Sequence, residues 1–202
     1  MPARILLATN NSGKLNELRS LLEDIPLELL TPADLGLNLK VEEKGESYSQ
    51  NACLKAKAFA QAANLPALAD DSGLEVEALD GAPGLFSARF APQPGATDGD
   101  RRAQLLKALT GKPRPWKAHF RCAVCLALPS GEIYQAEGEC LGEIIPDERG
   151  SGGFGYDRIF LTEGRRRTMA ELSILEKNQL SHRAQAISNL KQTIPRPLVV
   201  MD

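Results

Sequence analysis

The stretch LPALADDSGLEVEAL, residues 65–79, decides how the sheet and the chemistry of this chain are interpreted. An apolar run over 65–69 meets two adjacent carboxylates, Asp70 and Asp71, and a second, alternating apolar run follows Gly73. Because Asp, Ser and Gly favour turns, one interpretation of D-D-S-G is a tight turn at the end of a buried strand. The other is a divalent metal site, because paired carboxylates repel each other unless a hard cation or a proton intervenes.

Composition is that of an ordinary folded protein. The 202 residues are 43% hydrophobic and 25% charged, and this length suits one domain, or one domain with two lobes, over 1–202. The formal charge of -2 argues against a broad nucleic-acid surface, and only the run Arg165–Arg167 favours one. The N-terminus has no signal-peptide pattern, and no apolar run approaches the roughly 20 residues of a membrane span. We therefore expect a cytoplasmic protein with neither nucleic-acid nor membrane partners.

The cysteine pattern leaves two interpretations open. Cys122 and Cys125 form a C-x-x-C motif, which suits a redox centre or half of a zinc site. The same residues lie in a strictly alternating apolar run over 117–128, which predicts a strand. A separation of three residues places the two thiols on opposite faces of that strand, which favours buried strand cysteines.

The order of elements predicts an α/β protein with a mixed sheet flanked by helices. Strands are expected at 3–8, 27–31 and 117–128, with an antiparallel partner after the turn at 129–132. The spacing of apolar residues predicts helices at 14–24 and 49–65, after the capping pair Thr97 and Asp100, and from Ser181 onward.

Five segments offer candidate chemistry, each with an ordinary alternative. TNNSGK (9–14) is an anion-binding helix start or an Asn-rich cap, and it is not a Walker A loop because Ala8 replaces the first Gly. KVEEKGES (40–47) holds an acidic pair that suits a metal or plain solvation, and Lys55 is a ligand-binding or a surface lysine. GSGGFGYDRIF (150–160) allows close approach to a flat ligand or forms an irregular turn. EKNQLSHRAQ (176–185) puts positive charge at a helix start, which opposes the helix dipole unless an anion binds there.

Taken in order, seven motifs resemble those of the inosine triphosphate pyrophosphatase family, also called XTP/dITP or non-standard purine NTP pyrophosphatases. The motifs are T-x-N-x-x-K, E-x-x-G, N-A-x-x-K-A, A-D-D-S-G-L, G-A-P-G-x-x-S-A-R, G-G-F-G-Y-D and E-K-N-x-x-S-H-R-A. The resemblance implies a two-lobed α/β fold with a substrate cleft between the lobes, dependence on Mg²⁺ and a homodimer. It also implies hydrolysis of ITP, dITP or XTP to the nucleoside monophosphate and pyrophosphate.

The resemblance also implies roles for individual residues. Asp71 matches the general base and a metal ligand, and Glu42 matches a metal-site carboxylate, with Glu43 and Asp70 as further metal candidates. The residues that match the phosphate-binding side are Thr9, Asn11, Lys14, Lys55 and Ser72, and Asn10, Ser12 and Gly13 join them as substrate-binding candidates. The residues that match the receiver of base and sugar are Phe154, Gly155, Tyr156, Asp157, Lys177, His182 and Arg183.

The chain departs from the family pattern in places that leave the reaction type unchanged. Gln50 stands where Glu is usual, and Arg158 stands where Pro is usual. Two other functions remain as alternatives: a catalytically idle nucleotide-binding regulatory module, and a phosphohydrolase for a different NTP. The chemistry favours the pyrophosphatase, because a triphosphate with about four negative charges needs several cations and a hard metal.

Overall fold

The computed structural model describes residues 3–164 and 166–194, so Arg165 of the predicted basic run lies outside the described residues. Within these ranges the chain forms seven strands and five α-helices, with four short 3-10 helices between them. The strands are β1 (Ala3–Leu7), β2 (Leu27–Leu30), β3 (Ala67–Val76), β4 (Pro83–Gly84), β5 (Trp116–Ala127), β6 (Ile133–Ile144) and β7 (Phe160–Thr162). The helices are α1 (Ser12–Leu21), α2 (Tyr48–Ala63), α3 (Asp98–Leu109), α4 (Ile174–Leu180) and α5 (His182–Thr193).

The strands form one mixed sheet in the order β2-β1-β3-β5-β6-β7, with β4 paired to β3. Strand β1 is parallel to both β2 and β3, whereas the β3–β4 and β6–β7 pairs are antiparallel. A tight turn joins β5 to β6, in which Leu128 N donates to Glu132 O at 2.8 Å. The predicted α/β class with a mixed sheet is therefore confirmed.

The described chain divides into two compact units. The first contains residues 3–71, 122–138 and 183–194, and the second contains 72–121, 139–164 and 166–182. No helix in the described part of the chain is long and apolar enough to cross a membrane.

In the first unit, side chains alternate between the two faces of β3. Ala67 and Ala69 pack in the cluster that contains the apolar side of α2, whereas Leu68 packs in the cluster that contains Leu18 of α1 and Ile187 of α5. The same alternation separates the two cysteines of the C-x-x-C motif. Cys125 lies in the α2 cluster and Cys122 in the cluster of α1 and α5, so the prediction that their thiols occupy opposite faces is confirmed.

The second unit has a core of its own. Leu105 and Leu109 of α3 are fully buried in one cluster with the aromatic side chains of β5 and β7. Within it, the rings of Phe120 and Phe160 have centroids 4.4 Å apart. The predicted capping pair starts α3: Thr97 and Asp100 form a complete capping box.

Two features differ from the expectations. Of the two interpretations of D-D-S-G, the tight turn is excluded, because Asp70 to Gly73 lie inside the continuous strand β3. Helix α4 is present where the sequence had suggested only the approach to α5. Seven residues are too few to show a helical period, and only the capping box of Ser173 and Glu176 marks its start.

Candidate active site

Strand β3 gives its two adjacent carboxylates different neighbours. Asp70 and Asp71 are 1% and 8% exposed, and successive side chains of a strand point to opposite faces. Asp70 therefore contacts Lys14 and Arg183, from α1 and α5, whereas Asp71 contacts Asn51 from α2. The repulsion expected between neighbouring acids is thus reduced by geometry as well as by countercharges.

Asp70 is the centre of a buried ion network. Its Oδ2 accepts from Arg183 Nε at 3.1 Å and Nη2 at 2.9 Å, and lies 3.0 Å from Lys14 Nζ. Arg183 also donates to Glu17, a buried acid of α1. Burial alone would raise the pKa of Asp70, but the charges of Lys14, Arg183 and Lys55 hold it well below its usual range. Asp70 is therefore a permanent anion that fixes two cations.

The pKa of Asp71 is shifted in the opposite direction to that of Asp70. Burial raises its pKa, the nearby Glu43 raises it further, and Lys14, Lys55 and the hydrogen bond from Asn51 only partly offset this. Asn51 Nδ2 donates to Asp71 Oδ2 at 3.0 Å. A fixed carboxylate with raised proton affinity is suited to accept a proton from water.

Lys55 connects the backbone of β3 at Asp70 to Glu43 in the acidic loop before α2. Its ammonium donates to Asp70 O at 3.0 Å and lies 2.7 Å from Glu43 Oε1. Burial lowers the pKa of Lys55, but Asp70 and Glu43 raise it more, so the net shift is upward. Lys55 is therefore charged at neutral pH and is held about one helical turn from Asn51.

The donor chemistry of this cluster fits a hard divalent cation. Asp71 and Glu43 supply carboxylate oxygens that repel each other, and the buried Asp70 Oδ1 accepts no hydrogen bond among the described residues. Glu42 is farther into solvent, with 71% of its side chain exposed and Lys44 as its ion-pair partner. Within 3–164 and 166–194, no three His, Cys, Asp or Glu side chains form a complete metal site. Mg²⁺ commonly takes only one or two carboxylates and completes its shell with water and substrate phosphates, so these residues suit it.

The TNNSGK segment forms the start of α1. Asn11 is the N-cap, and its Oδ1 accepts from Lys14 N at 3.0 Å, while Thr9 Oγ1 accepts from Asn11 N. Asn10 and Ser12 are exposed, and Gly13 is half-buried in the first turn. The segment is thus a helix cap, and its amides and Lys14 also make it a surface suited to phosphate.

A second group of predicted residues lies in the second unit, around the glycine-rich loop. Asp157 Oδ2 accepts from Phe154 N at 2.9 Å and from Lys177 Nζ at 2.7 Å, and Lys177 Nζ lies 5.3 Å from the centre of the Phe154 ring. Tyr156 is buried, and its hydroxyl donates to Ser87 O at 2.9 Å. Phe154 is half-buried with the buried Lys177 ammonium close to its ring, and this combination of an aromatic face and a cation suits a planar base.

The structure separates the basic residues predicted around the last helix. Lys177 is buried in α4, and His182 begins α5 with its ring stacked on Phe120 at 4.8 Å. Arg183 belongs to the first unit, where Asp70 and Glu17 supply the anions that its position at a helix start requires. Ser72 follows Asp71 along β3 and is half-buried.

Sequence reasoning missed Asn51 and Glu17 as site residues. Asn51 stands four residues before Lys55 on α2, so a search for polar pairs on one helical face would have found it. Glu17 stands three residues after Lys14 on α1 and is buried next to Leu18. Its partner Arg183 lies 166 residues away, and no local pattern announces that pairing.

Comparisons with known proteins agree with the motifs. A protein-family model described as the Ham1 family matches residues 5–193. The chain is 43% identical over 194 residues to a protein of Desulforamulus reducens named dITP/XTP pyrophosphatase, with 96% of each chain covered. It is 46% identical over 188 residues to a protein of that name from Synechocystis sp., with 92% of each covered.

Comparison with solved structures indicates the same family. A HAM1 protein from Coxiella burnetii superposes with a TM-score of 0.84 at 39% identity, covering 94% of this chain and 97% of that one. The Staphylococcus aureus Ham1 protein superposes with a TM-score of 0.81 at 39% identity, covering 94% and 96%. The resemblance predicted from seven short motifs is confirmed along nearly the whole length, and this chain belongs to the Ham1 family.

Proposed function

We propose that this chain hydrolyses non-standard purine nucleoside triphosphates, namely ITP, dITP and XTP, to the nucleoside monophosphate and pyrophosphate. The observation that carries the proposal is the buried Asp71, with raised pKa, beside Lys14 and Lys55 in a chain whose relatives are named dITP/XTP pyrophosphatase. The names of the relatives describe an enzyme, so they do not favour the alternative of a catalytically idle binding module.

The first group of residues suits the phosphates. Lys14 and Lys55 are already fixed by Asp70 and Glu43, so little side-chain entropy is lost when they bind phosphate oxygens. In the proposed reaction Asp71 orients a water toward the α-phosphorus and takes its proton as the new P–O bond forms. The bond from the α-phosphorus to the bridging oxygen breaks, and pyrophosphate leaves with the electron pair.

Magnesium is the proposed cofactor, held by Asp71 and Glu43, with Glu42 and Asp70 as further candidates. When bound, Mg²⁺ would neutralise triphosphate charge and stabilise the charge that develops on pyrophosphate. The carboxylate-only donors support this choice over zinc, which prefers sulfur and nitrogen ligands in proteins.

The second group suits the purine. Phe154 offers a face for stacking, which adds affinity without selecting among purines. Lys177 and His182 are donors matched to the oxygen at position 6 of hypoxanthine and xanthine, whereas adenine presents an amino donor there. A site built on such hydrogen bonds discriminates by roughly 10⁴, because a mismatch leaves buried polar groups unpaired.

Product analysis tests the proposed function directly. The purified protein is incubated with ITP and MgCl₂, and the nucleotide and phosphate products are separated, with ATP and GTP as comparison substrates. We expect IMP and pyrophosphate in equal amounts, strong preference for ITP over ATP and incomplete rejection of GTP. Formation of IDP and orthophosphate would exclude cleavage at the α-phosphorus, and tight ITP binding without any product would identify an idle module.

We also propose that the chain works as a homodimer in the cytoplasm. All four cysteines are free and buried, which suits a reducing compartment. Sedimentation velocity of the purified protein tests the dimer, and a single species at the monomer mass of 21.9 kDa would contradict it.

A further inference from the structure

The backbone N–H and C=O of Gly155 are both held by side chains of α3. Gly155 N donates to Asp98 Oδ2 at 2.7 Å, and Gly155 O accepts from Arg102 Nη1 at 2.8 Å. Asp98 and Arg102 are four residues apart in the first turns of α3, so they lie on the same face of the helix. Neither residue belongs to the motifs that suggested the function.

Arg102 is itself fixed in place. Its side chain is 9% exposed, and Nε and Nη2 donate to the two oxygens of Glu148 at 2.7 and 3.0 Å. This two-pronged contact leaves Nη1 directed at the Gly155 carbonyl. Asp98 is likewise oriented, since it also accepts from Arg101. Both contacts to Gly155 are charge-assisted, which makes them roughly twice as strong as neutral hydrogen bonds.

Gly155 lies between the two residues that matter most for the proposed purine contact. Phe154 precedes it, and Asp157, which holds Lys177, follows two residues later. Gly155 has a φ of +60° and, because it lacks a side chain, can adopt many other backbone conformations unless it is held. Holding this backbone therefore restricts the positions open to Phe154 and to Asp157, which holds the Lys177 ammonium.

We propose that Asp98 and Arg102 are positioning residues that pre-form the purine-binding loop, Phe154–Asp157. The proposal rests on the proposed function, because it takes the purine to bind at Phe154 and Lys177. Without the two contacts, the loop must be ordered when the nucleotide binds, and this entropy cost weakens affinity for the base. Lys14 and Lys55, the cations proposed to bind phosphate, belong to the first unit and keep their own contacts, so affinity for pyrophosphate is expected to be unaffected.

The test compares two acids in the same helical turn. Asp98→Ala removes the acceptor for Gly155 N, whereas Asp100→Ala removes a first-turn acid that caps α3 through Thr97 and does not contact the loop. Binding of IMP and of sodium pyrophosphate, each with MgCl₂, is measured by calorimetry for the wild type and both variants. Asp98→Asn, which retains an acceptor oxygen, is the conservative variant.

We expect Asp98→Ala to weaken IMP binding about tenfold, the loss typical of one charged hydrogen bond, and to leave pyrophosphate binding within twofold. Arg102→Met is expected to do the same, Asp98→Asn to restore most of the affinity, and Asp100→Ala to change neither ligand. Unchanged IMP binding in Asp98→Ala, or equal losses for both ligands, would overturn the proposal.

Hydrogen exchange of the ligand-free protein separates this proposal from the proposed function. We expect Asp98→Ala to accelerate exchange of the Phe154–Asp157 amides, whereas Asp100→Ala leaves their rates unchanged. If the wild type fails to bind IMP while this difference is seen, the loop is positioned by α3 and the assigned ligand is wrong. If exchange is the same in both variants, the positioning role is wrong whatever the ligand.

Discussion

Asp70 and Asp71 show how one residue step changes the chemistry of a carboxylate. The same buried strand holds the pKa of Asp70 low, because two cations contact it, and raises the pKa of Asp71, where burial outweighs the cations nearby. Asp70 thus serves as an anchor for Lys14 and Arg183, and Asp71 serves as the candidate base.

Removing the charge of Asp71 is expected to lower turnover without lowering the stability of the fold. Asp71→Asn keeps the size of the side chain and an acceptor for Asn51, but it abolishes the basic oxygen. We expect the turnover of ITP to fall by about 10²–10⁴-fold while the dissociation constant for ITP changes less than tenfold. Steady-state release of pyrophosphate and calorimetric binding of ITP measure the two quantities.

Stability provides the control for this variant. Because burial raises the pKa of Asp71, its ionised form is less stable in the folded than in the unfolded chain, so Asp71→Asn is expected to unfold at the same or a higher urea concentration. Turnover close to that of the wild type would contradict the role of Asp71. A large loss of stability would show that the carboxylate has a structural partner instead.

Single residues also show where prediction from sequence succeeds and fails. The opposite faces of Cys122 and Cys125 follow from strand alternation alone, and the structure agrees. The interpretation of D-D-S-G as a tight turn is excluded, because these residues lie in β3, where Lys14 and Arg183 contact Asp70. Arg183 lies 113 residues from Asp70 in sequence, so no local pattern indicated this countercharge.

Among the elements, the loop before β7 depends on glycine in two different ways. At Gly153, with φ of +69°, an added Cβ would lie 2.0 Å from Asp157 Oδ2, whereas at Gly155, with φ of +60°, it would meet no atom within 4 Å. Both positions disfavour an L side chain, but only the first adds a collision with the acid that holds Phe154 and Lys177.

The matched pair Gly153→Ala and Gly155→Ala therefore separates backbone strain from displacement of Asp157. We expect Gly155→Ala to lower the free energy of unfolding by about 1–2 kcal/mol. Gly153→Ala is expected to lose at least about 1 kcal/mol more, because the collision forces Asp157 to move. Urea unfolding measures both variants, and equal losses would show that Asp157 adapts without cost.

Helix α4 offers a test of pH dependence. Hydrogen bonds from Arg167 and the Ser173 backbone lower the pKa of Glu176 to about 2 from its ordinary 4.5. A lowered pKa in the folded state means that the stabilisation is complete above pH 4.5 and is lost as the pH falls toward 2. We expect Glu176→Gln to unfold at lower urea than the wild type at pH 6, with the difference shrinking between pH 4.5 and 2. A difference independent of pH would show that the charge of Glu176 does not contribute.

For the whole molecule, local patterns predicted most helices and strands, because strand alternation and helical spacing reflect which faces are buried. They did not predict the ion network that joins α1, β3 and α5, since its members come from three distant segments. Only residues in the family motifs could be named in advance as members of the proposed site. Glu17, Asp98 and Arg102 lie outside those motifs and could not be named.

The free energy of unfolding of the whole chain is expected to depend strongly on Arg183. Its side chain is 1% exposed, and Arg183→Met would leave Asp70 and Glu17 buried without this partner. We expect a loss of about 3–5 kcal/mol, the usual result of removing one partner from a buried ion pair.

Arg121→Met is the matched comparison, because Arg121 is 42% exposed and also contacts two acids, Glu75 and Glu139. We expect a change within about 1 kcal/mol there. Urea unfolding of both variants measures the contrast. Similar losses at the two sites would mean that burial of the Arg183 network adds nothing to stability.

The alternation of β3 also limits how this family member can be altered by insertion and deletion. Removing a single residue between Leu68 and Asp70 would shift the rest of the strand by one position and exchange its two faces. Asp71 would then meet Lys14 and Arg183, and the residue facing Asn51 would be Ser72. Both acids would survive in the translated sequence, and any motif search tolerant of one gap would still report them. A gene variant of this kind would therefore retain both acids in its sequence while encoding an inactive protein.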